Sequence, residues 1–179
     1  TPTRIPPTPT KIPPTATPAP PPPSVFFTST STVIDEYDFQ LTIDGIVDFE
    51  SSGLTGSPAS KDEGIIFFDY GGADIILLWL EDLAADIDDV LADSYTLLQL
   101  ADQSLTFALV SEGESIVDNR PSKYIAFVVA NASGDNQGGG IIGSWRCSSK
   151  SVFSLAVTGI DATIVQIRFK RLIDNFICG

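Results

Sequence analysis

The chain has 179 residues, 13 of them proline, with 10 basic and 23 acidic side chains and no histidine, for a net charge of −13. That length fits one domain with a sizeable core, and the negative charge disfavours nucleic acid and anionic membrane surfaces as partners. The absence of histidine removes the commonest general base, the usual serine- and cysteine-protease triads and most zinc sites.

Eleven of the thirteen prolines fall in the first 23 residues, leaving only Pro58 and Pro121 further on. The break divides the chain into a Thr/Pro-rich arm, residues 1–24, and a globular acidic domain, residues 25–179. Within the arm a seven-residue unit repeats, Pro2-Thr3-Arg4-Ile5-Pro6-Pro7-Thr8 and then Pro9-Thr10-Lys11-Ile12-Pro13-Pro14-Thr15. Proline fixes φ and removes backbone donors, so the arm is expected to extend as polyproline II. Two readings follow. As a stalk, the arm holds the domain off a surface and offers Thr3, Thr8, Thr10, Thr15 and Thr17 as candidate O-glycosylation sites. As an assembly arm, it offers Ile5 and Ile12 as apolar pegs and Arg4 and Lys11 as cations. The rest of the chain has eight basic against 23 acidic residues, a net charge of −15, so another copy's domain attracts it.

From Val25 the pattern becomes short apolar runs separated by turn residues. Val25-Phe26-Phe27 opens a β-prone segment reaching Val33, which pairs with its own sheet or with a neighbour's edge. Tyr37 to Ile43 alternates as a half-buried strand, and Asp44-Gly45 reads as a tight hairpin turn into a strand over Ile46 to Phe49. Further strands are expected over Ile65 to Tyr70, Asp74 to Leu80, Leu105 to Ser111, Lys123 to Ala130, Ile141 to Cys147 and Val152 to Val157. Between them, Leu83 to Leu100 repeats its apolar residues at helical spacing, with Asp82, Asp86, Asp89 and Asp93 on another face. A second helix is expected over Asp161 to Ile177, with Asp161 as N-cap. The fold class is α+β, a mostly antiparallel sheet with two packing helices, preceded by the extended polyproline-II arm.

Cys147 and Cys178 are the only cysteines. In an exported protein an even pair is most simply a disulfide, here a structural staple between the last helix and the sheet. The chain has no run of about 18 apolar residues, which argues against a spanning helix. It has neither a start methionine nor a cationic leader, so a processed chain or fragment is expected.

Tyr37-Asp38-Phe39-Gln40-Leu41 entering a hairpin, a sheet interrupted by one helix, and a closing helix ending Asn175-Phe176-Ile177-Cys178 together resemble the PsbP-like α/β/α fold over residues 34–178. Thr42-Ile43-Asp44-Gly45 stands where that family usually has a proline, and no family-specific functional residue carries over. The resemblance implies a noncatalytic binding or scaffolding domain.

The remaining motifs read as structure. Adjacent acids such as Asp62-Glu63 and Asp88-Asp89 are solvated surface on so acidic a chain, and carboxylates along one helix stand too far apart for a complete calcium shell. Ser133 to Gly140 reads as a flexible surface loop, since it lacks the lysine and hydroxyl of a phosphate-binding loop. Asn131-Ala132-Ser133 makes Asn131 a candidate N-glycosylation site. Phe67, Phe68, Tyr70 and Trp79 are expected in the core rather than on a sugar-stacking face. No catalytic residue, metal site or cofactor is expected. The expected function is that of a noncatalytic extracellular structural subunit, forming a filament or surface array as a homo-oligomer. The alternative is a monomeric ligand-binding or adhesion module on a glycosylated stalk, with glycans or envelope proteins as partners.

Overall fold

The computed structural model describes residues 30–82, 84–147 and 151–179. The arm, with Arg4, Ile5, Lys11, Ile12 and its threonines, lies outside them, as do the expected strand at Val25-Phe26-Phe27 and the first residue of the expected helix, Leu83.

Two antiparallel sheets face one another. The smaller is built from β1 (Ser31–Ile34), β2 (Phe39–Asp44) and β10 (Phe176–Cys178), in the order β1-β2-β10. The larger has the order β3-β4-β5-β9-β8-β7-β6, from β3 (Glu50–Ser52), β4 (Glu63–Asp69), β5 (Asp74–Glu81), β6 (Thr106–Val117), β7 (Arg120–Ala130), β8 (Asn136–Arg146) and β9 (Ser151–Gly159). Helix α1 (Ile87–Ala101) covers one face of the larger sheet, and α2 (Ala162–Asp174) shares the other face with the small sheet. The expected α+β architecture is therefore present, and Ser31 to Ile34 pair within their own chain.

Strand alternation explains the two faces. Trp79, Trp145, Phe153, Leu155 and Val157 pack with Phe39, Leu41, Phe169, Leu172 and Phe176 into the main core. Residues of the opposite parity, Phe127, Ile142 and Ala156, meet Leu91 of α1 in a second, smaller core. At the centre of the first, Phe153 stacks on Trp145 with ring centroids 5.8 Å apart and meets Phe39 and Phe176 edge-on at 5.4 and 5.0 Å. The indole N–H of Trp79 donates to the Ser60 carbonyl at 2.9 Å, whereas that of Trp145 is buried without a partner among the described residues.

Several boundaries differ from the sequence reading. The Asp44-Gly45 turn does not form a hairpin: Gly45 has φ +96°, but its N–H donates to the Thr30 carbonyl and β2 pairs with β1 and β10. Residues 46–49 cross to the larger sheet without strand structure, and β3 begins at Glu50. Helix α1 starts at Ile87 because Asp82 first turns the chain by accepting from the Ala84 and Ala85 N–H groups, and Asp86 then caps the helix. Leu97, expected on its apolar face, is exposed. Helix α2 begins as expected, with the Asp161 carboxylate accepting from Thr163 and Ile164 N–H. It stops at Asp174, because Phe176 leaves the helix to stack on Phe39 while Phe176–Cys178 pairs with β2.

The expected disulfide joins Cys147 to Cys178, with Cα atoms 5.2 Å apart. Since Cys178 belongs to β10, the bond ties the small sheet to the end of β8 rather than fastening a helix end. The Cys178 N–H also donates to Asp118 at 3.0 Å.

The glycine-rich stretch is not a surface loop. The turn ends near Asp135, where the Asn131 side chain accepts from Ser133 and Asp135 N–H, and Asn136 already starts β8. The glycines allow neighbouring backbones to approach. A Cβ on Gly138, at φ +112°, would lie 2.3 Å from the Gly159 carbonyl oxygen, and one on Gly139 would lie 2.3 Å from that of Phe127. Gly134 also has positive φ, +84°, but open space around it. Alanine at Gly134 is expected to cost about 1 kcal/mol, for strain alone. At Gly138 the added collision raises the expected loss to about 2–3 kcal/mol. Urea unfolding of the two variants measures the difference.

Candidate functional site

Among the described residues no three acidic or cysteine side chains are placed to hold a metal, and no helix is long and apolar enough to cross a membrane. Of the aromatic set, Phe68, Tyr70 and Trp79 are buried and only Phe67 is exposed, so they form no sugar-stacking face. Asp82 and Asp86 are engaged with backbone N–H groups, and Asp88 bonds Lys123 at 2.6 Å. That hydrogen bond, with the nearby carboxylates, holds the Lys123 ammonium above its ordinary pKa despite partial desolvation.

What the fold leaves open is an apolar trough beside α2. The helix sits over β8 and β9, where Gly143 makes room for it: a Cβ there would be 2.7 Å from the Phe169 ring. Helix α2 packs mainly on β8 and β9 and meets the outer strands β6 and β7 less closely, with the Phe169 ring 6.3 Å from that of Tyr124. Strand β7 turns Ile125, Phe127 and Val129 toward α1, so Tyr124, Ala126 and Val128 alternate onto the α2 side. Beside them β6 is an edge strand, and its register shift between Leu109 and Ser111 leaves Val110 as a bulge residue.

The trough consists of two adjoining cavities. One, of about 160 Å³, is lined by Val110, Val128, Ile141 and Ile160. The other, of about 650 Å³, is lined by Ser115, Ile116, Tyr124, Phe169, Ile173 and Asp174. Ala126, Ile141 and Gln166 border both, so the two form one channel with α2 as one wall and the sheet as the other. Ile160 is 88% exposed, Val110 63% and Val128 45%, which makes this a contiguous apolar surface rather than scattered side chains. The charges at its far end are matched, since Lys170 bonds Asp174 at 2.7 Å.

This face carries no local sequence signal. Val110 belongs to the expected strand over Leu105 to Ser111, but nothing local marks it as a bulge. Val128 and Ile160 resemble ordinary core residues until the extent of α2 is known. Asn131 lies outside the trough, in the turn between β7 and β8.

No protein-family model matches the chain, and no curated protein matches it. Among solved structures it is similar to the solution structure of cyanobacterial PsbP (CyanoP) from Synechocystis sp. PCC 6803. The TM-score is 0.61 over 88% of this chain and 96% of that one, at 10% sequence identity. The domain thus has a PsbP-like fold, although the hairpin and the helical ending that suggested the resemblance are not formed. A looser likeness, TM-score 0.41 at 13% identity, links 79% of the chain to 92% of a Pseudomonas aeruginosa protein of unknown function.

Proposed function

We propose that the protein is a noncatalytic extracellular structural subunit that self-assembles head to tail, the Pro-rich arm of one copy contacting the PsbP-like domain of the next. The observation that carries this reading is the contrast within the chain. A repeat with two isoleucines, one arginine, one lysine and no acid precedes residues with a net charge of −15. A cationic, apolar, proline-stiffened segment loses little conformational entropy when it docks, and the acidic domain of another copy attracts it at long range. The Cys147–Cys178 disulfide supports an oxidising, extracellular setting. A contact between two different surfaces of one molecule propagates into a filament or array unless its rotation closes a ring.

The test is removal of residues 1–23, followed by negative-stain microscopy and sedimentation velocity at low and high salt. The intact chain is expected to form regular polymers that weaken as salt rises, and the shortened chain to remain monomeric. Monomers in both samples would overturn the assembly reading in favour of an adhesion or ligand-binding module on a glycosylated stalk.

A further inference from the structure

We infer that the trough between α2 and the outer strands β6 and β7 is the acceptor for residues Arg4 to Ile12 of a second copy. This inference rests on the assembly reading and names its site.

In polyproline II the seven steps from Ile5 to Ile12 cover about 22 Å at 3.1 Å per residue. The trough follows α2 from Ala162 to Asp174, about 18 Å at 1.5 Å per residue, and β6 from Val110 to Ile116, about 20 Å. The two isoleucines therefore reach its two ends, Ile12 and Ile5 each meeting one cavity.

Polyproline II has three residues per turn and three ridges. Ile5 shares a ridge with Thr8 and Lys11, and Ile12 shares the next with Pro6 and Pro9. Seven residues is not a multiple of three, so the isoleucines stand about 120° apart. A flat surface would receive one of them, whereas a trough with a helical wall and a sheet wall receives both. The third ridge, Arg4, Pro7, Thr10 and Pro13, faces outward.

The chain enters the fold at β1, the edge of the small sheet farthest from β10, and Arg171 of α2 bonds Asp44 beside that entry at 3.0 Å. The trough lies along the opposite side of α2, lined by Gln166, Phe169 and Ile173. The assignment to a neighbour's arm follows from the assembly reading, in which a contact between two different surfaces propagates from copy to copy.

The experiment keeps the full chain and replaces Val110→Glu and Ile160→Glu together. Both positions are exposed, so thermal unfolding is expected to be unchanged. The change makes the domain more acidic, so a contact made by charge alone would persist or strengthen. Loss of two apolar contacts is instead expected to weaken association on the order of 100-fold in sedimentation equilibrium. Ile46→Glu, at an exposed site on the crossing before β3, is expected to associate as the parent does. A photo-crosslinker at position 12 is expected to give a covalent dimer ladder, with the attachment mapped to β6, β7 or α2.

Normal association of the Val110→Glu/Ile160→Glu chain, together with monomers on removal of residues 1–23, would overturn the acceptor assignment and leave the assembly reading standing. Crosslinks confined within single chains would overturn the assignment to a second copy. A parent chain that stays monomeric would overturn both.

Discussion

Phe153→Ala is expected to lower stability by about 3–5 kcal/mol, the range for emptying a large aromatic site in a close-packed core. The position lies where both sheets meet. Its register neighbours are Trp79 on β5 and Trp145 on β8, and its ring also contacts Phe39 of β2 and Phe176 of β10. Collapse around the missing ring would require movement of strands from both sheets at once, so the cavity would close only partly. Domains of this kind are stable by about 5–15 kcal/mol in total. The variant would therefore unfold at a much lower urea midpoint with little change in slope. Phe67→Ala, in the half-exposed register position opposite Ile76, is expected to cost less than about 1 kcal/mol by the same measurement.

Replacing both cysteines, Cys147→Ser with Cys178→Ser, is expected to cost about 3–4 kcal/mol. The bond closes a loop across a sequence separation of 31, and chain entropy gives that amount for a loop of this size. The loss should also have a location. Among the described residues the three of β10 pair only with β2 and are otherwise fixed by Phe176 and by the Cys178 N–H bond to Asp118. Hydrogen exchange in the double variant is expected to rise first in β10 and β2, while β7 to β9 keep their protection. Uniform loss of protection across the larger sheet would instead mean that the bond stabilises the domain as a whole.

Where the residues themselves carried a periodic apolar pattern, the fold was legible from sequence. Phe39, Leu41 and Ile43 alternate inward and are buried, and Val165, Phe169 and Leu172 line the inner face of α2. Both helices and the disulfide partners were legible for the same reason, since each depends on local spacing or on residue type alone. The errors arose where a local turn signal competed with distant chain. Asp44-Gly45 has the composition of a hairpin turn, but β2 gains more from β1 on one side and from β10, more than 130 residues away, on the other. Asn136 to Gly140 has the composition of a loop, yet its glycines serve close contacts with β7 and β9 that no local pattern reveals. The opposite case is the turn at Asp118-Asn119, with φ +46° and +60°, which closes the long β6–β7 hairpin. It was hidden because Glu112 to Ser115 lies on an edge strand and has no apolar alternation to announce it. The apolar trough was invisible for a related reason: it is defined by where α2 stops covering the sheet.

The two fastenings of the small sheet are unequal, and in the proposed assembly this would matter when the arm is pulled. Tension on the arm would enter at β1, which among the described residues is held to β2 by four register pairs. From β2 it would pass to β10, through the Cys178–Cys147 bond to β8, and then across β7 to the strands that border the trough. Such a load path would cross a covalent link in its middle and a short, peelable strand at its entrance. Under force, β1 would act as a fuse: it would open and pay out a few residues of slack while the remainder of the domain, clamped by the disulfide, kept its shape.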